Sequence, residues 1–191
     1  MPYQKGAVLH SGGHRGAEAE FGRCAERWGL DEVTYTFPGH VSERARGLVE
    51  LSPAELAKGD VSMEIVSRHM GRTYHSGDRV RRVIQSIFHM VVGADHVFAV
   101  GWLQERGVVK GGTGWGVELA KFFNRPVSIF DQEQNAWMTW SPGGWRPDTP
   151  VIPDRPFAGT GTRNLTESGR AAIEDLFERS FGSGASSPGR P

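Results

Sequence analysis

The chain has 191 residues, long enough for one domain that buries a sizeable core without disulfide or metal staples. Lysine plus arginine and aspartate plus glutamate balance at 22 each, which excludes a global field that would gather nucleic acid or acidic membrane; a nucleic-acid role would need a local basic patch. The single cysteine, Cys24, cannot form an internal disulfide, and no signal-peptide core or long apolar span is present, so a reducing, cytoplasmic setting without a membrane partner is expected.

In chain order, a short apolar run over residues 7–10 ends at a glycine-rich turn, S-G-G-H-R-G-A-E, at 11–18. Ala17, Phe21, Cys24, Ala25 and Trp28 then follow at spacings of three and four, the stripe of an amphipathic helix over 17–28. Residues 32–37 are β-branched and aromatic and stop at Pro38-Gly39, which predicts a second strand. Residues 40–74 give mixed signals, except that Ser52-Pro53-Ala54-Glu55 reads as an N-cap with proline at the first position of a brief helix. Over 78–92, Val80, Val83, Ile84, Ile87, Phe88 and Val91 share one helical face, while Arg79, Arg81 and Arg82 crowd the first turn. The macrodipole disfavours cations there, so an anionic neighbour is expected.

Residues 96–100 (H-V-F-A-V) have the continuous apolar character of a strand covered on both faces. They lead through Trp102 to a second turn, K-G-G-T-G-W-G-V-E, at 110–118, and to a helix over 117–123. Residues 126–130 repeat the strand pattern, and the aromatic run 136–140 is expected to pair antiparallel with 129–131 as an edge hairpin. The proline- and glycine-rich stretch 141–156 reads as an irregular connection. A last unit opens at Phe157: a short strand, the turn A-G-T-G-T-R at 158–163, and a helix capped by Thr166 with a partner at Gly169. Strand and helix alternate nearly throughout. The predicted class is therefore α/β: a Rossmann-like open parallel sheet with helices on both faces plus a small antiparallel edge hairpin, with 1–181 as one nucleotide-binding domain and 182–191 as a disordered tail.

Each glycine turn follows an apolar run and precedes a helical stretch, the setting in which bare backbone amides face an anion at a helix N-terminus. Glycine permits this because a missing Cβ allows positive φ and close approach of phosphate oxygens. The candidate ligand-binding positions are Ser11, Gly12, Gly13, Arg15, Gly16 and Glu18 in the first turn; Gly111, Gly112, Thr113, Gly114 and Trp115 in the second; and Gly159, Thr160, Gly161, Thr162 and Arg163 in the third. Arg15 and Arg163 are either solvated loop charges or phosphate clamps. Glu18 and Glu118 occupy matching places after their turns, as plain helix-start acids or as partners of ribose hydroxyls. Of the seven histidines only His10 and His14 have the H-x-x-x-H spacing, and they flank a glycine turn; no H-E-x-x-H pattern occurs, and no metal and no resident cofactor are expected. Trp137, Trp140 and Trp145 are expected to pack an edge or a subunit interface.

The run G-G-T-G-W-G-V-E resembles the G-G-x-G-T-x-x-E motif of the SLOG superfamily, which includes the LOG phosphoribohydrolases (also called lysine-decarboxylase-like proteins) and the DNA-processing protein A group. Residues 11–18 resemble the S-G-G-A-x-G-A-D turn of its phage and bacterial members. In those relatives a G-I-G-S-R strand-turn lies at the N-terminus, one helix before S-G-G. Here the similar A-G-T-G-T-R comes near the C-terminus, so the resemblance implies a circular permutation in which residues 157–162 supply the central strand and the last helix returns toward Met1. The resemblance spans about two thirds of the chain, leaving out 40–74 and the aromatic hairpin.

By that resemblance Gly111, Gly112, Thr113 and Gly114 hold the phosphate of a nucleoside monophosphate, Glu118 serves as acid or base, and Arg82, or Arg81 in the same turn, is the assisting helix arginine. A carboxylate suits N-glycosidic cleavage because positive charge develops on the ribose. Trp115 stands where the motif has threonine, removing a hydroxyl and adding a ring able to stack on a base. The expected function is binding of a nucleotide or nucleotide-derived phosphate ligand by a homodimer. Its enzymatic form is hydrolysis of nucleoside 5′-monophosphates to free base and ribose 5-phosphate. A non-catalytic sensor or sequestering protein is the alternative that Trp115 favours, and single-strand DNA binding is disfavoured by the zero net charge.

Overall fold

A computed structural model describes residues 6–74 and 77–183. Strands β1 (Val8–Ser11), β2 (Asp31–Thr36), β3 (Leu48–Glu50), β4 (His96–Gly101), β5 (Val127–Asp131), β6 (Ala136–Ser141), β7 (Gly144–Pro147) and β8 (Phe157–Gly161) form one sheet. Its order is β3-β2-β1-β8-β4-β5-β6-β7. The first six strands in that order run parallel, while β6 and β7 are antiparallel. The last strand in the chain thus lies in the middle of the sheet, between β1 and β4.

Helices cover both faces, as the alternation of elements predicts. On one side α1 (Ala17–Arg27) and α6 (Glu167–Phe181) pack Phe21, Ile173, Leu176 and Phe177 onto Leu9, Phe98, Val100 and Phe157. On the other, α4 (Asp78–Val92) and α5 (Thr113–Phe122) pack with α3 (Asp60–Met70) onto Val97, Ala99, Val127 and Ile129. Residues of β4 alternate between the two clusters, Val97 and Ala99 to one and Phe98 and Val100 to the other, which is why its sequence is apolar throughout. Phe21, Phe98, Phe157 and Phe177 are fully buried, each stabilising the fold by roughly 1.5–3 kcal/mol relative to exposure.

Several boundaries differ from the sequence expectation. Helix α5 begins at Thr113, four residues earlier than 117, so Thr113, Gly114 and Trp115 belong to its first turn. Gly159 and Gly161 lie within β8, so that turn starts only at Thr162. Residues 141–156 are not wholly irregular: β7 pairs Trp145 with Trp140 across a tight Pro142-Gly143 turn, and Pro147 closes it at the sheet edge, where a missing amide is tolerated. Residues 40–74 hold β3, α2 (Pro53–Ala57) and α3. The capping box of α2 is present, with Ser52 and Glu55 exchanging backbone hydrogen bonds, whereas α3 starts at Gly59 without a side-chain cap and gives no sequence signal at its beginning. The α6 cap is as expected, Gly169 N donating to Thr166 Oγ1 at 3.0 Å.

Helix α6 runs back along α1, with Glu20 bridged to Arg170 and Trp28 Nε1 donating to the Gly182 carbonyl at 2.8 Å. Met1 and the tail beyond Ser183 lie outside the described residues. Among the described residues no helix is long and apolar enough to cross a membrane. Cys24 is buried, and burial pushes its thiol up to about 12, so it packs as a small apolar side chain.

Candidate functional site

The C-terminal ends of β1, β8 and β4 open on one edge of the sheet, and a cavity of about 410 Å³ lies there. All three glycine turns reach it: Gly12 and Glu18 from the first, Gly111, Gly112 and Thr113 from the second, Thr160, Gly161, Thr162 and Arg163 from the third. Val83, Ile87 and Met90 of α4 make an apolar wall, with Trp102 and Lys110 on the β4–α5 loop. This is the crevice outside the carboxyl ends of parallel strands where open α/β sheets bind ligands.

The three turns contribute differently. Among the described residues, only the second leaves three successive amides free. Among the described residues, Gly111, Gly112 and Thr113 have no acceptor for their N–H groups, α5 has no side-chain cap and its first turn carries no acid. Those amides, at a helix start beside Lys110, are the kind of unsatisfied donors that suit an anion. Arg72, a residue without a recognisable sequence signal, fixes the turn by donating to the Gly111 carbonyl at 2.8 Å and the Val109 carbonyl at 2.9 Å. The fit is tight, since a Cβ on Gly114 would come within 2.9 Å of the Arg72 guanidinium. Replacing Arg72 with alanine leaves the Val109 carbonyl without its charged donor; a loss of about 1–3 kcal/mol in urea denaturation is the expected result, and an unchanged midpoint would show that the clamp is idle.

In the first turn the amides of Gly12, Gly13 and His14 are already used. Gly13 N donates to Ser11 Oγ at 2.8 Å, His14 N donates to Glu18 Oε2 at 3.1 Å, and Gly12 N also serves the Glu18 carboxylate. What this turn offers the cavity is therefore Glu18 itself. Its side chain is 5% exposed and accepts from Thr160 Oγ1 at 3.0 Å. Burial pushes its carboxyl up to about 7, partly opposed by these hydrogen bonds and by Arg163. In the third turn Thr162 N is bound to the Val100 carbonyl and Asn164 N to Thr162 Oγ1, and Thr160, Thr162 and Arg163 line the cavity. Gly16 joins the first and third turns: Ala17 N donates to the Thr162 carbonyl at 3.0 Å where the two loops touch.

Other candidate residues stand away from the cavity. Glu118 pairs with Lys121 at 2.7 Å, and Lys121 lies over the rings of Trp140 and Trp145; this face of α5 meets the edge hairpin, where those tryptophans pack. Arg82 is exposed and lines neither this cavity nor its extensions. Ser11, Gly13, Gly114 and Gly159 shape the backbone: Gly159 admits Phe21 against β8, and Gly13 admits Ser42. Trp115 is buried against Tyr74, centroids 6.0 Å apart, with only its edge on an outer groove. The arginine cluster at the start of α4 divides in the folded chain. Arg81 finds the expected anion in Asp60 at 2.8 Å, lying over Tyr74, whereas Arg79 faces the cleft.

Beyond His14, Val83, Arg163 and Asn164, which line both spaces, the cavity continues into a second chamber of about 410 Å³. Here His14 and His40 meet, Nε2 to Nε2 at 2.9 Å. His40 Nδ1 faces Thr36 Oγ1 at 3.2 Å, and His14 bonds the Val41 carbonyl. This network assigns both rings as neutral, one donating to the other. Burial, then neighbouring positive charge, lowers both: His14 below its ordinary value and His40 to about 4. His10 pairs instead with Tyr35, at 3.1 Å. Among the described residues no three histidine, cysteine or acidic side chains come together as metal ligands.

No protein-family model matches the chain, and no curated protein matches its sequence. In structure it is similar to a protein of Syntrophus aciditrophicus that bears the name "putative molybdenum carrier protein", with TM-score 0.53 and 15% identity over 91% of this chain and 94% of that one. The likeness supports the α/β architecture with its mostly parallel sheet.

Proposed function

We propose that the chain binds a nucleotide or nucleotide-derived phosphate ligand in the cavity at the C-terminal edge of the sheet. The observation that carries this reading is the uncapped start of α5, where the amides of Gly111, Gly112 and Thr113, with Lys110 and Arg163 nearby, face a cavity that also has an apolar wall. The first feature suits phosphate and the second a base, while Thr160, Thr162, Ser86 and Asn164 are placed for ribose hydroxyls. The SLOG resemblance belongs to the same reading. A last strand sitting at the centre of the sheet is what a circularly permuted member would have, and a cytoplasmic homodimer is what its relatives suggest.

Glu18 favours hydrolysis as a second, catalytic form of this reading. A carboxyl in the cavity that titrates near neutrality can give its proton to a departing base as water attacks the ribose carbon, a role that Glu118, tied to Lys121, does not fill. Incubation with AMP, CMP, GMP and UMP tests both forms. Binding predicts ligand-induced melting shifts with at least one of them, and absence of any shift or calorimetric heat sinks the reading; molybdate, suggested by the neighbour's name, serves as the rival probe. If free base is released, Glu18→Gln should lower kcat by about 100-fold or more. Binding without base release leaves a sensor.

A further inference from the structure

The second chamber matches the glycine-lined cavity in volume and differs from it in charge. Arg15 from the first turn, Arg79 from the start of α4 and Arg163 from the third turn all line it, against one carboxylate, Glu43, all four residues being exposed at its rim. Among the described residues none of these arginines has a carboxylate within 4.0 Å. This separates them from Arg44, Arg46, Arg81 and Arg170, each paired with an acid. The histidines supply no charge, because the pair is neutral and its polar atoms are engaged with each other, Thr36 and Val41. Unpaired guanidinium groups from three separate segments, converging on one chamber, suit a second phosphate with its several oxygens. Arg163 stands at the junction and lines both spaces.

From this we infer that the ligand is a nucleotide carrying two separate phosphate groups, one seated on the Gly111–Gly112–Thr113 amides and the other in the arginine chamber beside His14 and His40. The inference rests on the nucleotide reading above and narrows it to a class of ligand. Calorimetric titration of the full chain with AMP, ADP and adenosine 3′,5′-bisphosphate tests it. ADP controls for the number of phosphates, since its two are contiguous.

The bisphosphate should bind at least about ten-fold more tightly than either AMP or ADP. In the Arg15→Gln/Arg79→Gln double variant that advantage should shrink to about three-fold or less. Equal affinity for the bisphosphate and ADP, or an advantage that survives in the folded double variant, overturns the proposal. Binding of AMP without a bisphosphate advantage defeats this inference alone, whereas silence from all three ligands defeats the nucleotide reading with it. Should the double variant not fold, the wild-type ratio decides.

Discussion

Replacing Glu18 with glutamine should make the protein more stable at neutral and alkaline pH and leave it nearly unchanged in acid. The carboxyl is buried and its folded value is raised from 4.5 to about 7. A raised acid is fully compatible with the fold below its unfolded value, where both states hold the proton. Stability is then lost as pH climbs through the interval from about 4.5 to 7, because the folded state must accept a desolvated charge that the unfolded chain carries freely. At ~1.4 kcal/mol per unit of pKa difference, the loss by pH 8 is about 3 kcal/mol. Glutamine keeps an acceptor for the Gly12 and His14 amides and can donate to Thr160 Oγ1, so it removes the charge without orphaning its partners. The measurement is the difference in unfolding free energy between variant and wild type from pH 4.5 to 8, in which other titrating groups cancel. A difference that does not vary with pH would mean that the fold does not raise the Glu18 carboxyl, and the catalytic form of the proposed function would go with it.

A second large effect is expected at Gly16. Its φ of 94° and ψ of −127° lie where side chains are rarely tolerated, and a methyl group there would press on the Thr162 carbonyl and reach 2.7 Å from Arg163 Cα. Both contacts are with backbone, so neither can swing aside. Gly16→Ala should therefore cost about 3 kcal/mol or more, a drop of roughly 6–12 °C in Tm for a chain of this size. Gly71, with φ of 62° and open space where its Cβ would be, is the control: alanine there meets the backbone penalty alone, about 1 kcal/mol. If both variants melt alike, the joint between the first and third turns is not as close as the structure has it. If Gly16→Ala folds, its nucleotide affinity should also fall, because Arg163 and Thr162 would be displaced from the cavity.

The fold was legible where burial leaves a period in the sequence. The helix over 78–92 has the expected bounds, because Val83, Ile84, Ile87 and Val91 mark a continuous face, and the 136–140 hairpin pairs with 129–131 as the aromatic alternation implied. Short elements with little burial were not legible: β3 exposes all three of its residues, and β7 lies at the sheet edge between a glycine turn and a proline. The start of α5 was misplaced because Gly111, Gly112 and Gly114 look like loop, whereas close packing of Gly114 on Val109 and Arg72 makes it the first turn of a helix.

What the sequence by itself determined is the alternation of strands and helices, the two-sided core and the three glycine turns, since each is written in local spacing and in residues that permit particular backbone angles. Tertiary structure decided what the turns do. Placing β8 between β1 and β4 brought all three to one cavity, but whether an amide is free depends on the nearest acceptor. Glu18 and Ser11 occupy the Gly12, Gly13 and His14 amides, Val100 takes the Thr162 amide, and among the described residues of the three turns only the start of α5 keeps three successive donors open. Likewise, Arg15, Arg79 and Arg163 are distant in the chain, and the sequence left Arg15 and Arg163 open between solvated loop charges and phosphate clamps and Arg79 in want of an anionic neighbour. Only the folding of three segments against one another leaves them facing a common space that holds a single acid, Glu43, because net charge sums over residues while an electrostatic site depends on distance.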